Sequence, residues 1–303
     1  SVEFAGLKLV NPVFVASGTC GYADELSDFM DVNSLGGLVT KSITLKPRKG
    51  NPPPRIVETD SGMLNAIGLA NIGLDAFIEQ KLPILEKMSG AVFVNVAGET
   101  IDDYVAVVQR LAVERAIAGF ELNVSCPNVS AGGISFGTEP LRVRDITKAV
   151  KQAAGDKVLM VKLSPAVTDI GKIGRAAVSG GADALSLVNT FTGMIIDIES
   201  RKPILANRTG GLSGPAIKPI AVHLVNKVYN EVTKEHGTPI LGLGGIRNAS
   251  DAVEFMIAGA SAVAVGTGSF IEPGCAAKIV EGIRKYCAGH KIKDIKELIG
   301  SLG

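Results

Sequence analysis

From residue 13 onward, short apolar runs alternate with longer stretches in which apolar residues recur at helical spacing. The apolar runs lie at 13–17, 37–41, 91–96, 119–125, 158–163, 184–189, 239–243 and 261–265. Continuous Val, Ile, Leu and Phe runs of this length read as strands buried on both faces. The intervening segments at 24–34, 74–88, 101–118, 140–154, 169–179, 218–234, 249–257 and 274–287 read as helices. Thr100 followed by Asp103 forms a capping-box pattern, and Gly155, Gly180-Gly181 and Gly259 stand where helices should stop. Ahead of this repeat, 2–4 and 7–10 read as a hairpin turning at Ala5-Gly6. Strict strand–helix alternation implies parallel pairing, and eight units predict an α/β chain closed into a (β/α)8 TIM barrel. An open doubly wound sheet is the competing arrangement. No linker or low-complexity stretch interrupts the pattern, so 1–303 reads as one domain.

Two connections are too long to be simple turns, 42–73 and 190–217. Both follow strands and so fall on the C-terminal face, where barrel enzymes keep their sites. They carry Asn65-Ala-Ile-Gly-Leu69 and Thr209-Gly-Gly-Leu-Ser-Gly214, which favours a functional role. The basic, proline-rich piece from Lys46 to Arg55 is open to two further readings, a solvated surface or a partner contact.

Composition narrows the partners. With 46% hydrophobic residues and 36 glycines, a large core with many tight turns is feasible. Thirty-one basic against 30 acidic residues leave a net charge of +1, no footprint for nucleic acid or an anionic membrane. The sequence shows no signal peptide and no apolar run of spanning length, so a reducing cytoplasm is the expected compartment, and the start at Ser1 suggests processing or trimming. Cys20, Cys126, Cys275 and Cys287 form no metal-binding or disulfide spacing, and no metal site is expected.

Chemistry concentrates at the strand ends. Lys41, Asn95, Asn123, Lys162 and Asn189 stand near the ends of five consecutive strands, each flanked by apolar or small residues. Alternation lets each point into the barrel while its neighbours face the helices. One such residue is most simply a buried polar group satisfied by backbone. Five at matching positions imply a flat, polar, partly anionic ligand, because buried amides and ammoniums are costly when unmet. The seventh and eighth runs end in Gly242-Leu-Gly-Gly-Ile246 and Gly266-Thr-Gly268, turns whose N–H groups suit a phosphate. FMN fits both features, with its phosphate at strands 7–8 and its ring across the mouth beside Lys162, although a sugar phosphate fits the glycine turns alone. Cys126, in Asn123-Val-Ser-Cys-Pro-Asn128, is delivered at a strand tip as either an inert small hydrophobe or a working acid–base group.

At these residues the chain resembles the class 1B dihydroorotate dehydrogenases, specifically their catalytic FMN subunit. The similar segments are Asn11-Pro-Val-Phe-Val-Ala-Ser-Gly18, Thr40-Lys-Ser42, Gly50-Asn-Pro-Pro-Pro-Arg55, Gly62-Met-Leu-Asn-Ala-Ile-Gly-Leu69, Asn123-Val-Ser-Cys-Pro-Asn128, Gly210-Gly-Leu-Ser-Gly214 and Gly244-Gly-Ile246. Class 2 enzymes have serine where Cys126 stands and add a membrane-associating extension. Class 1A enzymes share the cysteine and differ around Gly62–Leu69.

The resemblance implies oxidation of dihydroorotate to orotate in pyrimidine biosynthesis. Cys126 is then the base for C5, and hydride passes from C6 to FMN. It implies substrate contacts from Lys41, Asn65, Asn123, Asn128, Asn189 and Thr190 and from the backbone of Ile67, Gly68 and Leu69. Implied cofactor contacts are Ala16, Ser17, Lys41, Ser42, Asn95, Asn123, Lys162, Ser213, Gly214, Gly244, Gly245, Gly266 and Thr267. The glycine-rich segment 130–137 reads as a lid. The chain carries no dinucleotide fingerprint and no cluster ligands. The resemblance therefore implies a partner subunit bearing FAD and an iron–sulfur cluster that delivers electrons to NAD, around a homodimer core in a heterotetramer. Three alternatives stand beside this reading: a dihydropyrimidine dehydrogenase-like module acting on uracil or thymine, a flavin-free isomerase or synthase, and a non-catalytic binding barrel. Asn128 argues against the first, because that family has histidine there.

Overall fold

The computed structural model describes residues 1–125 and 136–303. Its strands, in chain order, begin with β1 (Val2–Phe4), β2 (Leu7–Leu9), β3 (Val13–Val15), β4 (Gly37–Val39), β5 (Ile56–Thr59), β6 (Gly62–Asn65), β7 (Ala91–Val96) and β8 (Gly119–Asn123). They continue with β9 (Val158–Lys162), β10 (Ala184–Leu187), β11 (Phe191–Gly193), β12 (Ile196–Asp197), β13 (Lys202–Pro203), β14 (Gly210–Ser213), β15 (Ile240–Leu243) and β16 (Ala262–Val265). Strands β3, β4, β7, β8, β9, β10, β15 and β16 close a parallel barrel, the last pairing back onto the first. Helices intervene between successive staves, among them Ile101–Leu111, Pro140–Ala154, Ile170–Ser179, Lys218–Val228 and Ala249–Ala258, with Cys275–Gly289 after the last. The open sheet is thereby excluded, and the fold is a (β/α)8 TIM barrel.

Alternation along each stave sorts its side chains. Val92, Val94, Phe120, Leu122, Leu159 and Val161 pack outward against the helices. Phe14, Val39, Phe93, Met160, Ala184 and Ala264 pack inward in a separate cluster. The N-terminal hairpin β1–β2 turns through Ala5 (φ 48°) and Gly6 (φ 80°), the two positive-φ residues that a tight two-residue loop requires. It delivers Phe4 to the barrel floor, with ring centroids 6.0 Å from Phe14 and 6.5 Å from Phe93. The interior is therefore a filled core at the floor, and its polar residues collect near the opposite end.

The two long connections are not independent loops. Strands β5 and β6 from the first and β11 and β14 from the second form one four-stranded antiparallel sheet, ordered β11-β14-β6-β5. The joining register sets Asn65 opposite Gly211 and Met63 opposite Ser213.

Several helices are shorter than their periodicity predicts. The segment expected at 101–118 ends at Leu111, and beyond it Lys157 Nζ donates to the carbonyls of Glu114 at 2.9 Å and Ile117 at 2.6 Å. Its start keeps the expected Thr100–Asp103 capping box. The stretch at 74–88 breaks between Gly73–Gln80 and Leu82–Leu85, where Pro83 lacks a backbone donor. The stretch at 24–34 divides into Asp24–Ser27 and a 3-10 turn, Val32–Ser34, capped by Asp31. The one at 218–234, by contrast, is helical over its full expected length, passing after Val228 into a π turn, Tyr229–Thr233, and then into Lys234–His236.

Candidate active site at the barrel mouth

Three inward side chains, on staves β7, β8 and β10, are linked below the mouth. Asn95 Nδ2 on β7 donates to Glu121 Oε2 on β8 at 2.5 Å. Ser186 on β10 donates to Glu121 Oε1 at 2.8 Å. Ser42, on the loop after β4, donates to Asn95 Oδ1 at 2.5 Å. Lys162 Nζ on β9 lies 3.6 Å from Glu121 Oε2. Glu121 is 1% exposed and Lys162 6%, so two opposite charges sit paired in a nearly dry barrel.

A second polar group stands beside this network. Asn189 Nδ2 donates to Ser125 Oγ at 3.0 Å and lies 3.5 Å from Asn123 Oδ1. Asn123 Oδ1 also accepts from the Ser125 amide at 3.3 Å. The Thr190 amide donates to Asn189 Oδ1 at 2.8 Å. Asn65 reaches this group through the accessory sheet, where its Nδ2 donates to Gly211 O at 3.3 Å. A Cβ at Gly211 would come 2.1 Å from Thr190 Oγ1, so residues remote in sequence are in contact here.

The loop beyond Asn65 offers backbone donors. Gly68 (φ 72°) and Leu69 (φ 56°) are both left-handed, a conformation that costs a bulky leucine and is held here by neighbours. Asn51 supports it from one side, its amide donating to Ile67 O at 3.0 Å and its Nδ2 to Ala66 O at 2.9 Å. Asn71 Nδ2 holds Leu69 O at 2.8 Å. The amides of Ile67, Gly68 and Leu69 themselves have no acceptor among the described residues. Consecutive free amides around left-handed residues form an anion-binding nest.

The phosphate-type elements also meet. Thr267 donates to Ser213 Oγ at 2.8 Å. Gly214 (φ 96°) packs against Gly245 (φ 82°), and a Cβ on Gly245 would sit 2.8 Å from Gly214 O. Among the described residues a Cβ on Gly266 would meet only Ala16 Cβ, at 3.8 Å, so little of the described structure crowds that backbone. Gly244 (φ 133°) completes the turn after β15, Ala16 is pinned by its amide to Val265 O at 2.8 Å, and Ser17 follows half-buried. Lys41 is half-buried, its amide donating to Gly21 O at 2.7 Å.

Cys126 and Asn128 lie outside the described residues, as does the expected lid except for Phe136 and Gly137. Glu121, Ser186 and Thr40, the last accepting from the Asn95 amide at 3.4 Å, join the site without having been singled out by sequence reasoning. A signal for Glu121 existed, a carboxylate inside an apolar strand sharing the parity of Asn123. Cys20 stands apart. Burial, with Glu25 nearby, pushes its thiol up to about 12, and it donates to Val39 O at 3.3 Å as a structural group. Among the described residues no cluster of His, Cys, Asp and Glu is suited to a metal, and no helix is long and apolar enough to cross a membrane.

These features fit FMN. Among the described residues the buried Lys162 ammonium has its hydrogen-bond donors uncommitted, since its carboxylate partner at 3.6 Å is beyond normal bonding distance. The uncrowded backbone at Gly266 and the positive-φ turn at Gly244–Gly245 provide a cradle that side chains would fill. The group would be held by Lys162, Asn95 and Ser42 at one end and by the Ser213, Gly245 and Thr267 cluster at the other.

Comparison with known proteins agrees with this geometry. The family model described as dihydroorotate dehydrogenase matches residues 1–286. A protein of Geotalea daltonii named dihydroorotate dehydrogenase B (NAD(+)), catalytic subunit, is 52% identical over 302 residues, covering 100% of this chain and 97% of that protein. Proteins of the same name from Geobacter sulfurreducens and Alkaliphilus metalliredigens are 51% identical over 302 residues and 52% over 301, covering 97% and 98% of those proteins and 100% and 99% of this chain. A family match over nearly the whole chain, on a closed barrel with polar staves meeting at its mouth, means that this chain belongs to the dihydroorotate dehydrogenase family of oxidoreductases.

Proposed function

We propose that this chain oxidises dihydroorotate to orotate at the barrel mouth, in de novo pyrimidine synthesis, with FMN as its cofactor. The observation that carries the reading is that Asn189 meets Asn123, whose register partner is the buried Lys162, while Asn65 bonds Gly211 beside Thr190 and leads into the 67–69 amides, which have no acceptor among the described residues. Dihydroorotate presents ring amides and a carboxylate. The side-chain amides suit the ring, with Thr190 and Asn128 assisting, and the 67–69 nest suits the carboxylate. Lys41 contributes a cation between the two bound molecules.

FMN, when bound, supplies the two-electron acceptor for hydride. Cys126, one residue beyond Ser125, takes the proton from C5. Loss of hydride from C6 then leaves the C5–H electron pair as the new C5=C6 bond, so atoms and electrons balance. A free thiol has a pKa of about 8.5, so base action near neutrality needs a mildly alkaline medium or local tuning.

The names of the relatives specify a catalytic subunit and NAD(+), which supports a separate partner subunit and NAD as acceptor; that the partner carries FAD and an iron–sulfur cluster around a homodimer core is what the family resemblance implies. Co-purification of a second, iron-containing subunit and NAD reduction by the complex alone test that part.

The central test is a visible spectrum under anaerobic conditions. Purified protein is expected to be yellow and to bleach with dihydroorotate but not with dihydrouracil. Cys126→Ala is expected to keep its flavin and to slow bleaching by orders of magnitude. Unchanged reduction kinetics in that variant would rule out the thiol as base, and preferential bleaching by dihydrouracil would reassign the substrate.

A further inference from the structure

Glu121 has no part in the reaction just described, yet it is held from two sides inside the barrel. Both of its oxygens are committed, Oε2 to Asn95 Nδ2 at 2.5 Å and Oε1 to Ser186 Oγ at 2.8 Å. Asn95 is in turn fixed by Ser42 at 2.5 Å. The carboxylate therefore has one position, set by three other staves or their loops. Lys162 hangs over it at 3.6 Å, and Glu121 is its only ion-pair partner among the described residues. At that distance the pair attracts while the ammonium donors stay available on the mouth side. Without that carboxylate the Lys162 side chain would lose its ion-pair partner among the described residues, and with it the contact that fixes its direction.

We propose that Glu121 is a positioning residue that keeps the Lys162 ammonium aimed at the cofactor, so that the ease of flavin reduction depends on a carboxylate that does not touch the flavin. The inference rests on the FMN reading above. A purely structural carboxylate would tie β7, β8 and β10 together and affect stability alone. A supporting counter-charge instead acts on the cofactor's redox equilibrium, because Lys162 compensates the negative charge gained on reduction.

The experiment is a dye-coupled reductive titration of the FMN-loaded protein. Glu121→Gln keeps the shape and one acceptor but removes the charge. Its flavin is expected to be at least tenfold harder to reduce at equilibrium, a midpoint about 30 mV more negative for a two-electron couple. Lys162→Met should shift the midpoint in the same direction, and adding Glu121→Gln to it should shift it no further, since both act through one ammonium. An unmoved or more positive midpoint in Glu121→Gln overturns the assignment, as does full additivity in the double variant. If Glu121→Gln fails to fold or to hold FMN, Ser186→Ala carries the test. It removes one bond to the carboxylate and should give a smaller negative shift that vanishes with Lys162→Met, whereas no shift overturns the proposal. Wild-type protein that binds no FMN would sink the flavin reading and this proposal with it. Flavin-bound wild type with an unmoved variant would sink this proposal alone.

Discussion

Ser42 Oγ stands 2.5 Å from Asn95 Oδ1, and this bond orients the whole polar floor of the site. With its oxygen held by the hydroxyl, the amide must turn its NH2 toward Glu121. Asn95→Ala removes that donor and leaves Glu121 buried with Ser186 as its remaining hydrogen-bond donor. The expected cost is about 2–3 kcal/mol, since an unmet buried charge is dearer than a lost neutral bond. Urea unfolding of the FMN-free protein measures it, and a loss under about 0.5 kcal/mol would show that the network is not structurally coupled.

Gly68 tests the anion nest. Its φ of 72° and the 2.7 Å approach of a built Cβ to the Asn51 amide leave no room for a side chain without moving the loop. Gly68→Ala is expected to raise KM for dihydroorotate about tenfold, the loss of roughly one charge-assisted bond, with flavin content unchanged. Steady-state kinetics with a flavin assay checks this, and an unchanged KM would move the carboxylate elsewhere.

Gly266 separates cofactor binding from folding. Among the described residues a Cβ there meets only Ala16 Cβ at 3.8 Å, so Gly266→Val should leave the stability of the FMN-free protein within about 0.5 kcal/mol of wild type. FMN at a hundredfold excess over its Kd stabilises the wild type by about 2.7 kcal/mol. At the same FMN concentration the variant should show little of that gain, read as the missing rise in melting temperature.

Phe93 sits fully buried on the floor, 6.0 Å from Phe14 and 6.5 Å from Phe4. Phe93→Ala is expected to cost about 3–5 kcal/mol through lost burial and the cavity it leaves. Hydrogen exchange should show the hairpin β1–β2 loosening, because Phe4 is its anchor inside the barrel.

Cys20 gives a pH prediction with a definite sign. Burial first, and the Glu25 charge second, raise its thiol from 9.0 to about 12. The unfolded chain therefore releases this proton at lower pH than the folded one, so the contribution is fully present below pH 9 and is lost as pH rises toward 12. Between pH 8 and pH 10.5 it amounts to roughly 2 kcal/mol. Cys20→Ala should flatten that part of the alkaline decline in chemical denaturation, and an equally steep decline would assign it to other groups such as Tyr22, also raised to about 12 by burial.

The barrel itself is legible in the chain because side-chain direction on a strand has a period of two. Counting along β7, β8 and β9 assigns Asn95, Asn123 and Lys162 to the inner face without any knowledge of neighbours. Glycines at 244, 245 and 266 likewise announce a backbone meant to approach something closely. Helix ends were less legible. The carbonyls beyond Leu111 are taken by Lys157, some forty residues further on, and no local pattern encodes that.

What the amino-acid order determined alone was which residues face inward and at which end of the staves the polar ones gather. What only the tertiary structure decided was who meets whom. Glu121 bonds Asn95 across 26 residues and Ser186 across 65, and Asn65 reaches Gly211 across 146. Periodicity records the face a side chain occupies. Closure of the barrel and the register of β6 on β14 choose its partner, and a buried charge takes its role from that partner.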